Sequence, residues 1–172
     1  MVNKILVLLV VLNCDFGFSQ VANDRLVKFI EGAEKVIIAS HEDFNLVVRQ
    51  PGRSKTLTRT LLKKGKPNKK IMKEEMQLSS GAKAELIAII SAQKRDSIWE
   101  GASCFWPHHT LFIYSQQKWS YIDLCFGCHK YSYSKDLKIN EDEFLVTYED
   151  WRKLESFFRK NNLNYELPKR RD

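Results

Sequence analysis

The residues best equipped for chemistry lie in two short clusters, Cys104-Phe-Trp-Pro-His-His109 and Cys125-Phe-Gly-Cys-His129. Together they hold three of the four cysteines and three of the four histidines, all between positions 104 and 129. Thiols and imidazoles at such density can cross-link as a disulfide, ligate a metal, attach a haem or exchange electrons. For zinc, Cys104, His109, Cys125 and Cys128 supply four nitrogen and sulfur ligands, and Gly127 eases the tight turn inside the Cys-x-x-Cys pair. For a disulfide, Cys104 can link to Cys125 or to Cys128, tying the start of one strand to the end of another and leaving one thiol over. For haem c, Cys125 to His129 matches the Cys-x-x-Cys-His attachment pattern, with His129 as axial ligand. A redox Cys-x-x-Cys usually opens a helix, which lowers the thiol pKa. Here Lys130 to Ser134 alternate with tyrosines and read as extended chain.

The elements that must bring these groups together are two strands. Thr110 to Tyr114 and Ser120 to Phe126 are rich in β-branched and aromatic residues, with Gln116 and Gln117 midway between them. This is a hairpin pattern, although the turn lacks Asn-Gly. Folding about the two glutamines sets Cys125 opposite His108 or His109. Cys104, Cys128 and His129 then fall at the open end of the same hairpin.

Around the hairpin, Asn23 or Asp24 caps a short helix carrying Leu26, Val27 and Ile30, which Gly32 ends. Val36 to Ala39 and Phe44 to Val48 read as strands, and Pro51-Gly52 as a turn. Ser79 or Ser80 caps a helix to about Gln93, with Ala82, Leu86, Ile87 and Ile90 on one face. Thr147 or Tyr148 opens the last helix, where Trp151, Leu154, Phe157 and Phe158 repeat at helical steps. These stripes are core faces rather than cofactor boxes. The order predicts an α+β domain: a small, largely antiparallel sheet with a central hairpin, covered by two or three helices.

The spacing Cys-Phe-x-Pro-x-His, a hairpin, then Cys-Phe-x-Cys resembles a group of secreted bacterial proteins of uncharacterised activity. The resemblance covers the stretch from Cys104 to His129 and, loosely, the helix before it. It marks Cys104, Pro107, His109, Cys125 and Cys128, and implies nothing about activity. The group has Arg where His108 stands and generally lacks a His where His129 stands, which weighs against haem.

The N-terminus reads as an export signal over residues 1–19: Lys4, the apolar run Ile5 to Leu12, and small residues in Gly17-Phe-Ser19. The run is too short to span a bilayer, which needs roughly 20 residues, so the mature chain has no transmembrane segment. Residues 20–172 then form one domain of ordinary size. The expected location is periplasmic or secreted, with lipidation at Cys14 the lesser alternative.

The net charge of +7 favours an acidic partner such as nucleic acid, anionic lipid or acidic glycan. Nine of its basic residues fall between Arg53 and Lys73, where no acidic residue stands. That stretch reads as a solvated hairpin or loop rather than a phosphate footprint, and no aromatic is interleaved for base stacking. His41, beside Glu42 and Asp43, reads as an exposed turn, and Asn140 to Glu143 as a solvated acidic loop. There is no Gly-rich phosphate loop and no Gly-x-Ser-x-Gly. The expectation is a non-enzymatic exported protein with a structural Cys/His cluster, holding a disulfide or zinc. The alternative is a c-type haem or thiol-redox protein using Cys125, Cys128 and His129.

Overall fold

The computed structural model describes residues 24–43, 45–50, 53–93, 103–139 and 144–169, with the backbone alone for 45–50 and 53–58. The expected leader, Cys14, Pro51-Gly52 and the acidic stretch 140–143 lie outside them. The fold is α+β. Five antiparallel strands form the main sheet in the order β6-β1-β7-β8-β9. They are β1 (Lys35–His41), β6 (Met72–Gln77), β7 (His109–Ser115), β8 (Lys118–Cys125) and β9 (Lys130–Tyr133). Two small ribbons, β2 (Asn45–Gln50) with β3 (Arg53–Thr58) and β4 (Leu62–Lys63) with β5 (Lys66–Pro67), lie between β1 and β6 in the chain.

Hairpin β7–β8 sits at the centre of the sheet and its register runs from His109↔Leu124 to Ser115↔Lys118. Gln116 and Gln117 turn the chain with φ of 50° and 59°. Two successive left-handed residues make the mirror-image turn whose twist matches antiparallel strands, so the glutamines do what Asn-Gly does elsewhere.

Three helices, α1 (Asp24–Glu31), α2 (Ser80–Ser91) and α3 (Tyr148–Lys160), cover one face. Their buried stripes include Leu26 and Ile30, Leu86 and Ile90, and Trp151, Leu154 and Phe158. These meet Val36, Ile38, Leu111, Ile113, Ile122 and Leu124 from the sheet in one core. The helix ends are tied off locally. Ser79 accepts from the Ala82 amide at the start of α2, and Thr147 and Asp150 form a reciprocal capping box on α3, each cap contributing about 1 kcal/mol. Lys83 donates to the carbonyls of Glu31 and Ala33, placing a cation at the C-terminal end of α1.

The opposite face carries a second, smaller core of Ala39, Leu61, Ile71 and Phe112. Leu61 and Ile71 come from within the basic stretch, which is therefore a covering layer and not only a solvated loop. Arg59 and Lys73 both pair with Glu42, and Lys69 pairs with Glu75, so part of its charge is neutralised by neighbours. No helix among the described residues is long and apolar enough to cross a membrane.

Candidate functional site

Two strand ends build the site. The Ser40↔His109 pairing of β1 with β7 continues outward, because the His41 amide donates to the His108 carbonyl at 2.8 Å. Trp106 Nε1 donates to Asp43 Oδ1 at 2.6 Å, and His108 Nε2 lies 3.4 Å from the same oxygen. The chain from Cys104 to His108 is thus pinned along the end of β1, with Cys104 exposed as a free thiol.

The second strand end is the turn from β8 to β9. Cys125 pairs with Lys130 across it, and between them Cys125 and Cys128 form a disulfide with Cα atoms 5.4 Å apart. The His109↔Leu124 register sets Cys125 level with His108. A pocket of about 220 Å³ lies between the two strand ends, and Cys104, His108, His109, Cys125, Cys128, Trp106 and Glu166 are among the residues lining it.

All four residues expected to act together, Cys104, His109, Cys125 and Cys128, therefore line one pocket. Their bonding differs from the expected cross-link from Cys104. Cys125 and Cys128 are three residues apart and already opposed by a strand turn, so they pair with each other and Cys104 stays out. Among the described residues no group of three or more His, Cys, Asp or Glu side chains is arranged to hold a metal ion.

His129 is not among the residues lining the pocket. It sits in a left-handed conformation, φ 50°, with its ring edge-on to Tyr148 and tilted against Trp151 at centroid distances of 5.3 and 5.7 Å. The pocket is smaller than the 300–1,000 Å³ usual for cofactor-sized ligands, and both sulfurs that haem attachment needs are joined to each other.

His109 is the unusual group in the pocket. It is 1% exposed, its ring is edge-on to Phe126 and Phe158 at 5.0 and 5.6 Å, and its Nε2 has no hydrogen-bond partner among the described residues. Burial, reinforced by the neighbouring His41 and His108, pushes its pKa down to about 3. A neutral imidazole can offer a ring nitrogen as an acceptor or as a metal ligand.

His41 is buried, not in an exposed turn. The strand that begins with the β-branched run at Val36 extends through Ser40 to His41, and its last four residues, Ile38 to His41, are all buried. Its Nδ1 donates to the Glu42 carbonyl at 2.9 Å, and Nε2 meets Asp123 Oδ1 at 3.0 Å. Thr110 Oγ1 donates to the same oxygen at 3.0 Å. Desolvation raises the Asp123 pKa, with the bonds from His41 and Thr110 opposing. Both ring nitrogens of His41 are committed, so this pair holds the strands and has no free lone pair for a substrate. Sequence reading missed it because the partners lie on β1 and β8, far apart in the chain. The available signal was the placement of His41 and Asp123 at alternating positions of their strands.

No family model matches the chain, and no curated protein or solved structure matches it.

Proposed function

We propose that this is an exported protein whose chemistry is thiol–disulfide exchange at Cys125–Cys128, with Cys104 as the third thiol of the site. The observation that carries the reading is a free, exposed cysteine lining the same pocket as a Cys-x-x-Cys disulfide. Attack of the Cys104 thiolate on one sulfur forms a new S–S bond and releases the other sulfur as a thiolate, so the cross-link moves with no net oxidation. The Cys104–Cys125 and Cys104–Cys128 pairings expected from sequence are then the exchange products of the pairing found.

A purely structural staple is the weaker reading. Cross-linking a loop of four residues restricts the unfolded chain by only about 2 kcal/mol, less than a longer loop gives, and the β8–β9 turn is held by strand pairing as well.

The test is a redox titration in glutathione buffers, with free thiols alkylated and counted by mass. An exchange site titrates between about −270 and −120 mV, the range of thiol oxidoreductases. A disulfide that stays closed until below about −300 mV overturns the proposal. In Cys104→Ser the pair should still titrate but equilibrate more slowly.

A further inference from the structure

An imidazole nitrogen buried without a partner is an unsatisfied acceptor that folding leaves in place at a cost. In His109, Nε2 has no hydrogen-bond partner among the described residues, and the residue lines the pocket that Cys104, Cys125 and Cys128 also line. A buried, unbonded imidazole nitrogen beside thiols is the donor type that zinc sites use. With the disulfide closed, two of the three cysteine sulfurs are bonded to each other, and His108 is turned to the His41 carbonyl and Asp43. Among the described residues no group of three or more His, Cys, Asp or Glu side chains is then placed to hold an ion.

We infer that reduction of Cys125–Cys128 converts this pocket into a Cys3His site for a zinc-like divalent metal, with Cys104, Cys125, Cys128 and Nε2 of His109 as ligands. The inference rests on the exchange reading only in requiring that the disulfide can open. A dithiol reductant splits the S–S bond and is itself oxidised to a disulfide, and its two protons pass to Cys125 and Cys128. Metal binding then displaces the three thiol protons to solvent, while His109 binds as the neutral imidazole. Three thiolates around a divalent ion leave one negative charge, which suits a chain of net charge +7. The soft ligand set selects against magnesium and calcium. The oxidised protein then excludes the ion and the reduced protein retains it.

The experiment uses the protein recovered from the extracytoplasmic fraction. One sample is kept oxidised. The other is reduced with dithiothreitol under nitrogen and freed of reductant by gel filtration. Each is titrated with Co²⁺ alone, then Zn²⁺ alone. The expected result is about one ion per chain in the reduced sample, with the thiolate-to-cobalt charge transfer and visible bands of a tetrahedral site, displaced by zinc, and none in the oxidised sample. Cys104→Ser and His109→Gln should each weaken binding at least about tenfold, and His129→Ala should leave it unchanged. Circular dichroism confirms that His109→Gln is folded.

A reduced protein that takes up no ion overturns the inference, as does equal uptake by the oxidised form. Binding that neither Cys104→Ser nor His109→Gln alters overturns the ligand set. Because dithiothreitol opens even a strongly reducing disulfide, a redox midpoint in the structural range defeats the exchange reading without deciding this one.

Discussion

His41 and His109 stand on neighbouring strands of one sheet, each 1% exposed or less, yet they differ in every other respect. His41 faces the smaller core and has both nitrogens engaged, by the Glu42 carbonyl and by Asp123. His109 faces the helices, among Phe126 and Phe158, and its Nε2 has no partner among the described residues, in a pocket that three cysteines also line. A buried polar group that is fully bonded rigidifies the fold, whereas one left open is available for chemistry. The same residue type at the same depth therefore marks a structural joint on one face and a reactive site on the other.

The largest effect should come from breaking the joint. His41→Ala leaves Asp123 buried with Thr110 as its remaining side-chain partner, and about 3–5 kcal/mol of stability should be lost in urea unfolding. A loss below about 1 kcal/mol would show that the pair is not what holds these strands, and the contrast between the two histidines would collapse.

The second effect is acid sensitivity from His109. Its pKa of about 3 in the fold lies below the ordinary 6.5, so the unfolded chain takes up the proton first as pH falls. Its contribution is flat above about pH 6.5 and declines toward pH 3, by at most about 1.4 kcal/mol per pH unit. Asp123, whose pKa is raised, acts in the opposite sense over the carboxylate range. Subtracting the curve for His109→Gln from that of the oxidised parent isolates His109. A difference that does not vary between pH 6.5 and 4 would mean that His109 is not buried neutral.

The smallest effects separate the sulfurs. Replacing both Cys125 and Cys128 by Ser should cost about 2 kcal/mol, the value for closing so short a loop. Cys104→Ser should stay within about 0.5 kcal/mol, as surface changes do. Equal losses in thermal unfolding would place Cys104 in a cross-link and remove the free thiol on which the exchange reading depends.

Local rules carried the parts of the fold that local physics decides. The apolar stripes of α2 and α3, their caps to within one residue (Ser79 or Ser80, Thr147 or Tyr148), and the hairpin turning at Gln116-Gln117 were legible from spacing and residue type. So was the gathering of Cys104, His109, Cys125 and Cys128, because it needs only the hairpin register. The sulfur pairing was not legible, since the choice among three cysteines depends on how the β8–β9 turn closes. Nor was the burial of Leu61 and Ile71, because nine cationic neighbours make the surrounding stretch read as solvated. His41 was misplaced for a related reason: two adjacent acidic residues suggest a turn, and the carboxylate that explains its burial lies 82 positions away.

That long span has a kinetic consequence. β7 and β8 close across two residues and can zip within microseconds, as short hairpins do. β1 must instead find β7 after a loop of more than sixty residues has been ordered, a slow and entropically costly encounter. The contact of His41 with Asp123 joins β1 to the far strand of the hairpin, so it forms with that slow step. Loosening it should therefore slow refolding as well as hasten unfolding. The buried pair then ties the speed at which the chain folds to one long-range joint.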